Sequence, residues 1–535
     1  MRFLSVNSDS FLIELSSLEE TLALYSKLQN LHLNGIKDLI PAAKTILICF
    51  NEIKTDFKTL SVLIGTLNLD SGFDRNTQEV IIPIRYDGED LAQMAEFQGL
   101  TIADLILKHH QSTWDVAFIG FAPGFAYMSS LDQPFTDIPR LKTPRKRIPS
   151  GSLGLAGQYT GIYPKDSPGG WQLIGTTSEK MWDLERQNPA LLRPGMRVHF
   201  EDVTHHPVSV DVPKQITPRQ DLTLKYPLFK ITASGLQVSV QDEGRFQHSN
   251  IGVGTAGAMD VASMHCANRI VGNPTDTPVI EVLNGGLKAV MQNSAVISVA
   301  GAISNIHVKF ADGQKADFDS YQAIALDEGD EFQIQTPSAG LRNYLAVRGG
   351  LDIQPILNSC SFDSLAILGP GPLKTGDVIY QGQVVPSNIS INEVPKSNLP
   401  SLGDTIELDI VMGPRTDWFE QSSIEKLCNQ AWLVTNESNR VGLRLSGKVP
   451  LTRKISHELE SEGTCIGALQ IPPNGQPVLF MNDHPLTGGY PVIASVAKHH
   501  WDLVAQIPAD CHIKFRKIAE FVDIENEDEP AKICK

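Results

Sequence analysis

The 535-residue sequence lacks the features that would place it in several large classes of proteins. No apolar run approaches the roughly 20 residues that a membrane-spanning helix needs. The N-terminal stretch has one early Arg but no continuous apolar core, so it does not read as a signal peptide. A net charge of −16 disfavours nucleic acid, because phosphate binding needs clustered Lys and Arg. These absences predict a cytoplasmic protein with no membrane or nucleic-acid partner.

Cysteine is also scarce. The seven cysteines are an odd number without CxxC spacing, which is typical of reduced thiols in a cytoplasm. Histidines occur as adjacent pairs at 109–110, 205–206 and 499–500. Because adjacent side chains project in different directions on regular structure, these pairs are poor metal ligands, and we predict no metal site.

Two common catalytic motifs are missing. There is no GxxxxGK[ST] phosphate loop, so nucleotide binding of the usual kind is not encoded. There is no GxSxG segment either, so neither Ser150 nor Ser152 is assigned as a nucleophile.

What the sequence does contain is two blocks, at 118–176 and 235–260, that are rich in glycine. In the first block aromatic residues alternate with the glycines, which is unusual for surface loops. Glycine lets the backbone turn or approach a ligand closely, and aromatic rings supply apolar walls. The combination predicts a shaped site rather than a linker.

These residues carry a family resemblance that covers nearly the whole sequence. The segments FIGFAPGFAYM and SGSLGLAGQYTGIYP resemble the allophanate hydrolase subunit 1 family, and QDEGR, GAMD and NDHPLTGGYP resemble the subunit 2 family. Both families are similar to the carboxyltransferase domain of urea carboxylase, to a kinase-inhibitor pair of sporulating bacilli, and to the B and C subunits of bacterial ATP-dependent 5-oxoprolinase. Two positions depart from the subunit 2 pattern: Phe362 stands where Thr is usual, and Pro372 where Arg is usual. Both departures disfavour a site role for that segment.

Many short strands and few helices favour β-barrel-like domains. The resemblance implies a mainly β protein with α+β subdomains, made of two homologous-style halves that contain cyclophilin-like β-barrel domains. The predicted units are an α/β subdomain at 1–85, a cyclophilin-like domain at 86–212, a linker at 213–227, a β-rich domain at 228–384, a linker at 385–404, a second cyclophilin-like domain at 405–520 and an acidic tail at 521–535.

Five helices are predicted from capping residues or from apolar residues at helical spacing. They are one that begins after Ser17, one over 90–97, one from Thr101 to His109, one after Asp260 that ends before Gly272, and one over 418–432.

Two arginines are candidates for binding an anion, since a guanidinium matches a carboxylate or phosphate. Arg145 lies in a basic segment and matches the family motif, whereas its neighbours Lys146 and Arg147 are predicted to be solvated. Arg245 either binds a substrate carboxylate or pairs structurally with Asp242.

Backbone amides of the first block are candidates for an oxyanion or phosphate site. The candidates are Gly124, Gly151, Gly154 and Gly157, with Ser152 and Gln158 as substrate-binding side chains beside them. The alternative is that these glycines serve hairpins that need positive φ.

Three carboxylates of the second half, Asp260, Glu462 and Asp483, are candidates for a catalytic base. A helix N-cap would explain Asp260 equally well. Gln470 and Tyr490 are predicted to bind substrate; Tyr490 either stacks on a planar ligand or belongs to the core. Glu281 follows an apolar run and needs a buried partner.

The resemblance implies a fused B and C subunit of an ATP-dependent 5-oxoprolinase, which hydrolyses 5-oxo-L-proline to L-glutamate. It implies ATP with Mg²⁺ as co-substrate and a separate A subunit as partner, without which the chain is expected to be inactive. A homo-oligomer is left open. No Met-Lys-Met biotinylation site is present. The alternatives are a non-catalytic inhibitor of a histidine kinase and a biotin-dependent carboxyltransferase component that acts on urea-like substrates.

Overall fold

The computed structural model describes residues 1–69, 78–130, 132–135, 137–141, 143–205, 225–455, 457 and 459–525. Within these ranges the chain is mainly β, with few helices and two barrel-containing halves, which confirms the predicted fold class. We call the described residues up to 205 the first half and those from 225 the second half. None of the helices in the described ranges is long and apolar enough to cross a membrane.

The first half begins with a small α/β unit. Its elements are β1 (Arg2–Asn7), β2 (Ser10–Glu14), α1 (Leu18–Leu31), β3 (Ile36–Pro41), β4 (Thr45–Phe50) and α2 (Phe57–Gly65). Helix α1 starts where the capping signal predicts, because the Ser17 side chain accepts a hydrogen bond from the Glu20 N–H. The sheet has the order β3-β4-β2-β1 and is completed by β34 (Asp523–Glu525), so the two ends of the described chain pair with each other.

A seven-stranded sheet forms the body of the first half. The elements are β5 (Glu79–Ile84), α3 (Leu91–Phe97), α4 (Ile102–Gln111), β6 (Trp114–Ile119), β7 (Ala126–Ser129), β8 (Arg145–Ile148), β9 (Ser152–Ala156), β10 (Tyr159–Ile162), β11 (Ser167–Gly169), β12 (Gln172–Thr176) and β13 (Arg197–Asp202). The order is β12-β9-β10-β7-β6-β13-β5, and a bridge between Arg85 and Thr176 joins its two edges into a nearly closed barrel. Helices α3 and α4 match their predicted positions.

The second half opens with two sheets packed around one apolar core. The elements are β14 (Pro227–Ser234), β15 (Gln237–Gln241), α5 (Val261–Val271), β16 (Val279–Leu283), β17 (Leu287–Met291), β18 (Ala295–Ile303), β19 (Asn305–Lys309), β20 (Lys315–Asp319), β21 (Ala323–Leu326), β22 (Glu331–Ile334), β23 (Ala339–Val347) and β24 (Val378–Tyr380). The sheet orders are β20-β19-β22-β17-β14-β24 and β15-β16-β23-β18-β21. Helix α5 ends at Val271, before Gly272 as predicted, and Gly272 has the left-handed conformation.

A closed barrel completes the second half. The elements are β25 (Thr405–Met412), α6 (Gln421–Asn429), β26 (Trp432–Val434), β27 (Gly442–Gly447), β28 (Glu462–Gly463), β29 (Ala468–Gln470), β30 (Val478–Phe480), β31 (Thr487–Gly488), β32 (Val492–Val496), α7 (Trp501–Ala505), β33 (His512–Ala519) and β34. The barrel runs β25-β32-β29-β30-β27-β26-β33. The helix predicted over 418–432 is shorter, because Trp418 lies in a 3-10 turn and Trp432 starts a strand. The rings of both residues pack in the barrel core.

The predicted linkers and tail are described only in part. Most of the segment 213–227 and all of 526–535 lie outside the described residues. The segment 385–404 has no regular secondary structure, but it packs against the second half through an ion pair of Glu393 with Arg269 (2.6 Å) and one of Lys396 with Asp260 (2.9 Å). At the end of the chain, residues 523–525 form β34 instead of beginning a tail. The remaining domain boundaries stay predictions.

Candidate active site

The two halves contact each other in several places, and in one of them the turn after β6 packs against loops of the second half. The Gly124 N–H donates to the Ile251 carbonyl (3.0 Å), and Lys165 Nζ donates to the Leu365 carbonyl (2.7 Å). A Cβ on Gly120 would lie 2.3 Å from Thr487 Oγ1, so only glycine fits at that contact. We call the region formed by 120–124, Lys165, 249–253 and 363–368 the junction.

Arg245 lies beside the junction and is 2% exposed. Its Nε donates to the Ile356 carbonyl (3.1 Å), and its Nη2 donates to the Ser361 carbonyl. Its Nη1 is buried and has no hydrogen-bond partner among the described residues. Burial lowers the pKa of Arg245, although three nearby aspartates oppose that effect. A buried guanidinium with an unused donor can bind an acceptor group that the protein itself does not supply.

The alternative that Arg245 pairs directly with Asp242 is not seen among the described contacts, since no hydrogen bond or ion pair joins the two side chains and Asp242 acts on Arg245 only through its charge. Other groups donate to Asp242. It accepts hydrogen bonds from the hydroxyls of Ser359 (2.6 Å) and Ser361 (2.5 Å) and from the Cys360 N–H (2.6 Å). Asp242 therefore fixes the position of the 359–361 segment through these hydrogen bonds. The Ser361 carbonyl of that segment in turn accepts a hydrogen bond from Arg245.

Asp363 is a candidate that the sequence did not indicate. It is 3% exposed, and its Oδ1 accepts hydrogen bonds from the N–H groups of Leu365 (2.9 Å) and Ala366 (2.8 Å). Burial and the neighbouring Asp483 raise its pKa to about 6, despite the opposing effect of Arg245. A carboxyl group of this kind changes its protonation near neutral pH, as general acids and bases do.

Asp483 belongs to a fully paired network. Arg440 donates to both of its carboxylate oxygens (2.9 and 3.0 Å) and also to Glu281 Oε1 (2.6 Å). The Ser364 N–H and hydroxyl donate to the same carboxylate (2.9 and 2.6 Å). Burial by itself would lower the pKa of Arg440, but Asp483 and Glu281 together raise it well above its usual range. Glu281 thus has the buried partner that its sequence context required.

Asp260 is the N-cap of α5, as its alternative interpretation held. Its carboxylate accepts hydrogen bonds from the Ser263 N–H (2.9 Å), Lys396 Nζ (2.9 Å) and Gln506 Nε2 (2.9 Å). Its own N–H donates to the Tyr344 hydroxyl, which donates to Glu281, so Asp260 and Asp483 belong to one continuous network. Every contact described for the Asp260 carboxylate is structural.

Glu462 lies apart from that network, between the first sheet and the closed barrel. Arg415 Nε donates to both of its carboxylate oxygens (2.9 and 3.0 Å), and Arg415 Nη2 also pairs with Glu14 (2.6 Å). Burial raises the pKa of Glu462, and Arg415 opposes the rise. The predicted catalytic role of Asp260, Glu462 and Asp483 stays a prediction, and in this structure strong donors occupy all three.

The substrate-binding candidates of the first half also have protein partners. Arg145 pairs with Glu89 (2.7 Å) and Asp90 (2.8 Å). Ser152 is buried in β9, where its carbonyl accepts a hydrogen bond from the Tyr163 N–H (2.9 Å). Gln158 is half-buried, and its Nε2 reaches the hydroxyl of the adjacent tyrosine at 3.4 Å. None of the described hydrogen bonds or ion pairs joins these three residues to one another or to Arg245.

The glycine amides that were predicted to bind an oxyanion are used by the fold. The N–H groups of Gly124, Gly151 and Gly157 donate to carbonyls (3.0, 2.8 and 2.8 Å), and Gly154 pairs in the middle of the β12-β9-β10 sheet. Gly151 has φ +82°, and a Cβ there would lie 2.3 Å from the Thr177 carbonyl oxygen. The alternative that requires positive φ therefore accounts for Gly124, Gly151 and Gly157, whereas Gly154 is an ordinary strand residue without positive φ. The amides of all four are unavailable to an oxyanion in this conformation.

The aromatic residues of the first block pack as core. Phe125 makes edge-to-face contacts with Tyr127, Tyr163 and Trp171 at centroid distances of 5.1 to 5.3 Å, and all four rings are buried. They support the wall of the first half rather than line an open surface.

Gln470 and Tyr490 contact each other. Gln470 Nε2 donates to the Tyr490 carbonyl (3.1 Å), and the Arg453 guanidinium lies 5.5 Å from the centre of the Tyr490 ring. Tyr490 is 44% exposed, so it is not a core residue. An exposed ring with a cation above it can stack on a planar group, which keeps the substrate-binding prediction for this pair.

One group of side chains within the described ranges has the composition of a metal site: Asp409, His499 and His500. The Asp409 N–H donates to His500 Nδ1 (2.9 Å), which uses the single lone pair of a neutral imidazole. Arg516 binds the Asp409 carboxylate at 2.6 Å. Because the His500 ring and the Asp409 carboxylate have these other partners, we interpret the three residues as an ion-pair cluster.

The described cysteines are all free thiols, and Cys465 packs between apolar residues. Burial raises its pKa to about 12, so it is not a reactive thiolate.

Sequence reasoning missed Asp363 and Lys165. The segment around Asp363 was discounted because Phe362 and Pro372 depart from the family pattern. The sequence did contain a local signal for Asp363. An Asp side chain in a turn commonly accepts hydrogen bonds from backbone N–H groups a few residues ahead, here those of Leu365 and Ala366. Lys165 carried no such signal, because its acceptor lies 200 residues away in the chain.

Comparison with known proteins places the chain in a family. Residues 1–192 match the carboxyltransferase domain family, subdomains C and D, and residues 251–517 match the carboxyltransferase domain family, subdomains A and B. Both modules therefore occur on one polypeptide.

Three curated relatives define the two halves further. The C subunit of 5-oxoprolinase from Escherichia coli is 31% identical over 294 residues, which are 54% of this chain and 90% of that protein. The B subunit of 5-oxoprolinase from Haemophilus influenzae is 38% identical over 155 residues, 28% of this chain and 72% of that protein. Urea amidolyase from Lachancea kluyveri is 30% identical over 317 residues, which are 54% of this chain but 17% of that protein.

A solved structure resembles the whole chain. The crystal structure of the protein TTHA0988 is 29% identical and superposes with a TM-score of 0.81 over 95% of this chain and 99% of its own. The fold and these matches define the class as proteins with a carboxyltransferase domain. The chain belongs to the carboxyltransferase domain family, as a fusion of modules related to the B and C subunits of 5-oxoprolinase.

Proposed function

We propose that this chain is the fused B and C subunit of an ATP-dependent 5-oxoprolinase, which hydrolyses 5-oxo-L-proline to L-glutamate together with a separate A subunit. The observation that carries the proposal is the presence of both modules on one chain, each similar to one subunit of that enzyme over most of the subunit's length.

The chemistry of the reaction fits the polar groups of the second half. A lactam is a poor electrophile, and phosphorylation of its oxygen by ATP makes the carbonyl carbon open to attack by water. Such a site needs donors for the carbonyl oxygen and a carboxylate that accepts a proton. Arg245 has the unused donor, and Asp363 is a carboxyl group whose pKa is raised to about 6 by burial and by Asp483. We assign the binding of ATP and Mg²⁺ to the complex as a whole.

The test is release of glutamate from 5-oxoproline with ATP and Mg²⁺, measured with the chain alone, with a co-expressed A subunit alone, and with both. We expect release only when both are present. Lack of release from a folded, co-purifying pair would argue against the proposal.

A second candidate is a carboxyltransferase component that uses biotin on a separate carrier, favoured by the match to urea amidolyase. It predicts transfer of a carboxyl group from carboxybiotin to urea, without the A subunit and without glutamate release. Inhibition of a histidine kinase stays a prediction, which an assay of autophosphorylation with added chain would test.

A further inference from the structure

The unused donor of Arg245 has no structural explanation. A buried charged group normally has an ionic partner, because burial without one is costly. Arg245 instead has two carbonyl acceptors, and no carboxylate of the described residues lies within ion-pairing distance of it. The carboxylates whose charges raise the pKa of Arg245 are Asp363, Asp242 and Asp483, with the largest effect from Asp363. Asp242 and Asp483 have their own donors, which leaves Asp363.

Asp363 has an unused acceptor atom, Oδ2. Its Oδ1 binds two backbone N–H groups, whereas no donor among the described residues hydrogen-bonds to its Oδ2. The turn that follows lies at the surface, and its Ile367 is 68% exposed. Lys165 of the first half is bound to the same turn through the Leu365 carbonyl. The unused donor belongs to Arg245, which binds the Ser361 carbonyl, and the unused acceptor belongs to Asp363, two residues further along the chain.

The charges decide which ligand fits this pair. Before any phosphoryl transfer, a free carboxylate or phosphate would be attracted to Arg245 but repelled by Asp363, and a cation would be repelled by Arg245. A neutral group with an acceptor and a donor on the same edge satisfies both side chains. The edge of a cyclic amide, which carries C=O and N–H on the same side, has that arrangement, and so does a ureido group.

We propose that Arg245 and Asp363 bind the amide edge of a cyclic amide or ureido ligand, with Arg245 Nη1 donating to its carbonyl oxygen and Asp363 accepting from its N–H. The proposal rests on the proposed function and deepens it, because the lactam of 5-oxoproline is such a ligand. We expect the ligand to enter beneath the 364–367 turn, which Lys165 ties to the first half.

The test measures binding rather than turnover, using calorimetry on the full chain, alone and in complex with the A subunit. The probes are 2-pyrrolidinone, 5-oxoproline, 2-imidazolidinone and N-methyl-2-pyrrolidinone. The N-methyl compound keeps the carbonyl and lacks the N–H, so we expect it to bind at least about tenfold more weakly than 2-pyrrolidinone. Preference for 5-oxoproline over 2-imidazolidinone would assign the site to lactams, and the reverse order to ureido ligands.

Two variants locate the site. Asp363→Asn keeps the Oδ1 that caps the turn and places an NH₂ group where Oδ2 was, so it should weaken 2-pyrrolidinone at least about tenfold and abolish the discrimination against the N-methyl compound. Arg245→Met should weaken all four probes. Asp317→Asn, at an exposed carboxylate, is the matched control and should change nothing.

Binding to the wild type should weaken as pH falls below about 6, when Asp363 is protonated beside Arg245, Asp483 and Lys165. Asp363→Asn should show no such pH dependence. Equal binding of parent and N-methyl probes, unchanged binding in the folded variants, or no binding by chain or complex would each overturn the proposal. If the variants bind the probes as the wild type does and their complex still releases glutamate, the proposed function is retained and only the assignment of this site is wrong.

Discussion

Arg245 and Arg440 are both buried in the second half, at 2% exposure, and they are stabilised in opposite ways. Arg440 donates to two carboxylates and to the Gly257 carbonyl, so its charge is compensated within the protein. Arg245 donates to two backbone carbonyls and keeps a buried Nη1 without a partner among the described residues. The difference indicates that Arg440 holds the fold together, whereas Arg245 is available to a ligand.

The largest expected effect is on Arg440. Replacing it by Met leaves Asp483 buried without a cation and leaves Glu281 with only the more distant Arg342 (3.7 Å), so we expect a loss of about 3–5 kcal/mol in the free energy of unfolding. Urea denaturation of the variant and the wild type measures it. A loss below about 1 kcal/mol would show that the network is not what stabilises this region.

A smaller effect is expected from Asp363→Asn, and it depends on pH. The folded-state pKa of about 6 lies above the value of about 4 in an unfolded chain, so Asp363 contributes stability below pH 4 that is lost as pH rises through 6. The Asn variant does not suffer this loss. It should therefore be more stable than the wild type at pH 8, by on the order of 2 kcal/mol, and the advantage should shrink towards pH 4. Unfolding curves at pH 4, 6 and 8 test this, and an advantage independent of pH would contradict it.

A third arginine, Arg145, is intermediate between Arg440, which is fully ion-paired, and Arg245, which has no ionic partner among the described residues. Its pairs with Glu89 and Asp90 are partly exposed, so Arg145→Ala should cost about 1 kcal/mol of stability. Arg147→Ala, which removes an exposed pair with Asp166, is the control and should change stability by less than about 0.5 kcal/mol. If glutamate release falls in the first variant and not in the second, Arg145 is more than a structural residue, as the sequence resemblance predicts.

Structural features that depend on residues close together in the chain were predicted well from the sequence. The caps at Ser17, Thr101 and Asp260 were visible because a capping side chain binds an N–H three residues ahead. Glu281 was seen to need a partner, but Arg440 could not be named because it lies 159 residues away. Positive φ at Gly151 was expected, whereas the acceptor of its amide was not.

The candidate site shows the same limit more strongly. Sequence reasoning singled out Arg245 and Asp483 but discounted the segment of Asp363, because departures at Phe362 and Pro372 suggested a lost site. In the folded chain the Ser361 carbonyl of that segment binds Arg245, and the Ser364 side chain binds Asp483. The contacts that bring the segment to these residues cross more than a hundred positions, and no local pattern encodes them.

The most direct test of the contrast between the two arginines is glutamate release by the complex that carries Arg245→Met, with its unfolding midpoint measured in the same preparation. Removing Arg245 leaves the Ile356 and Ser361 carbonyls without its hydrogen bonds, which costs stability, but it also removes a buried charge that lacks an ionic partner among the described residues. We therefore expect a loss of stability smaller than that of Arg440→Met. We expect turnover to fall by about 100-fold or more, as is typical when a donor to a reacting carbonyl is removed. Full turnover with an unchanged midpoint would contradict the account, because Arg245 would then have no ligand to bind.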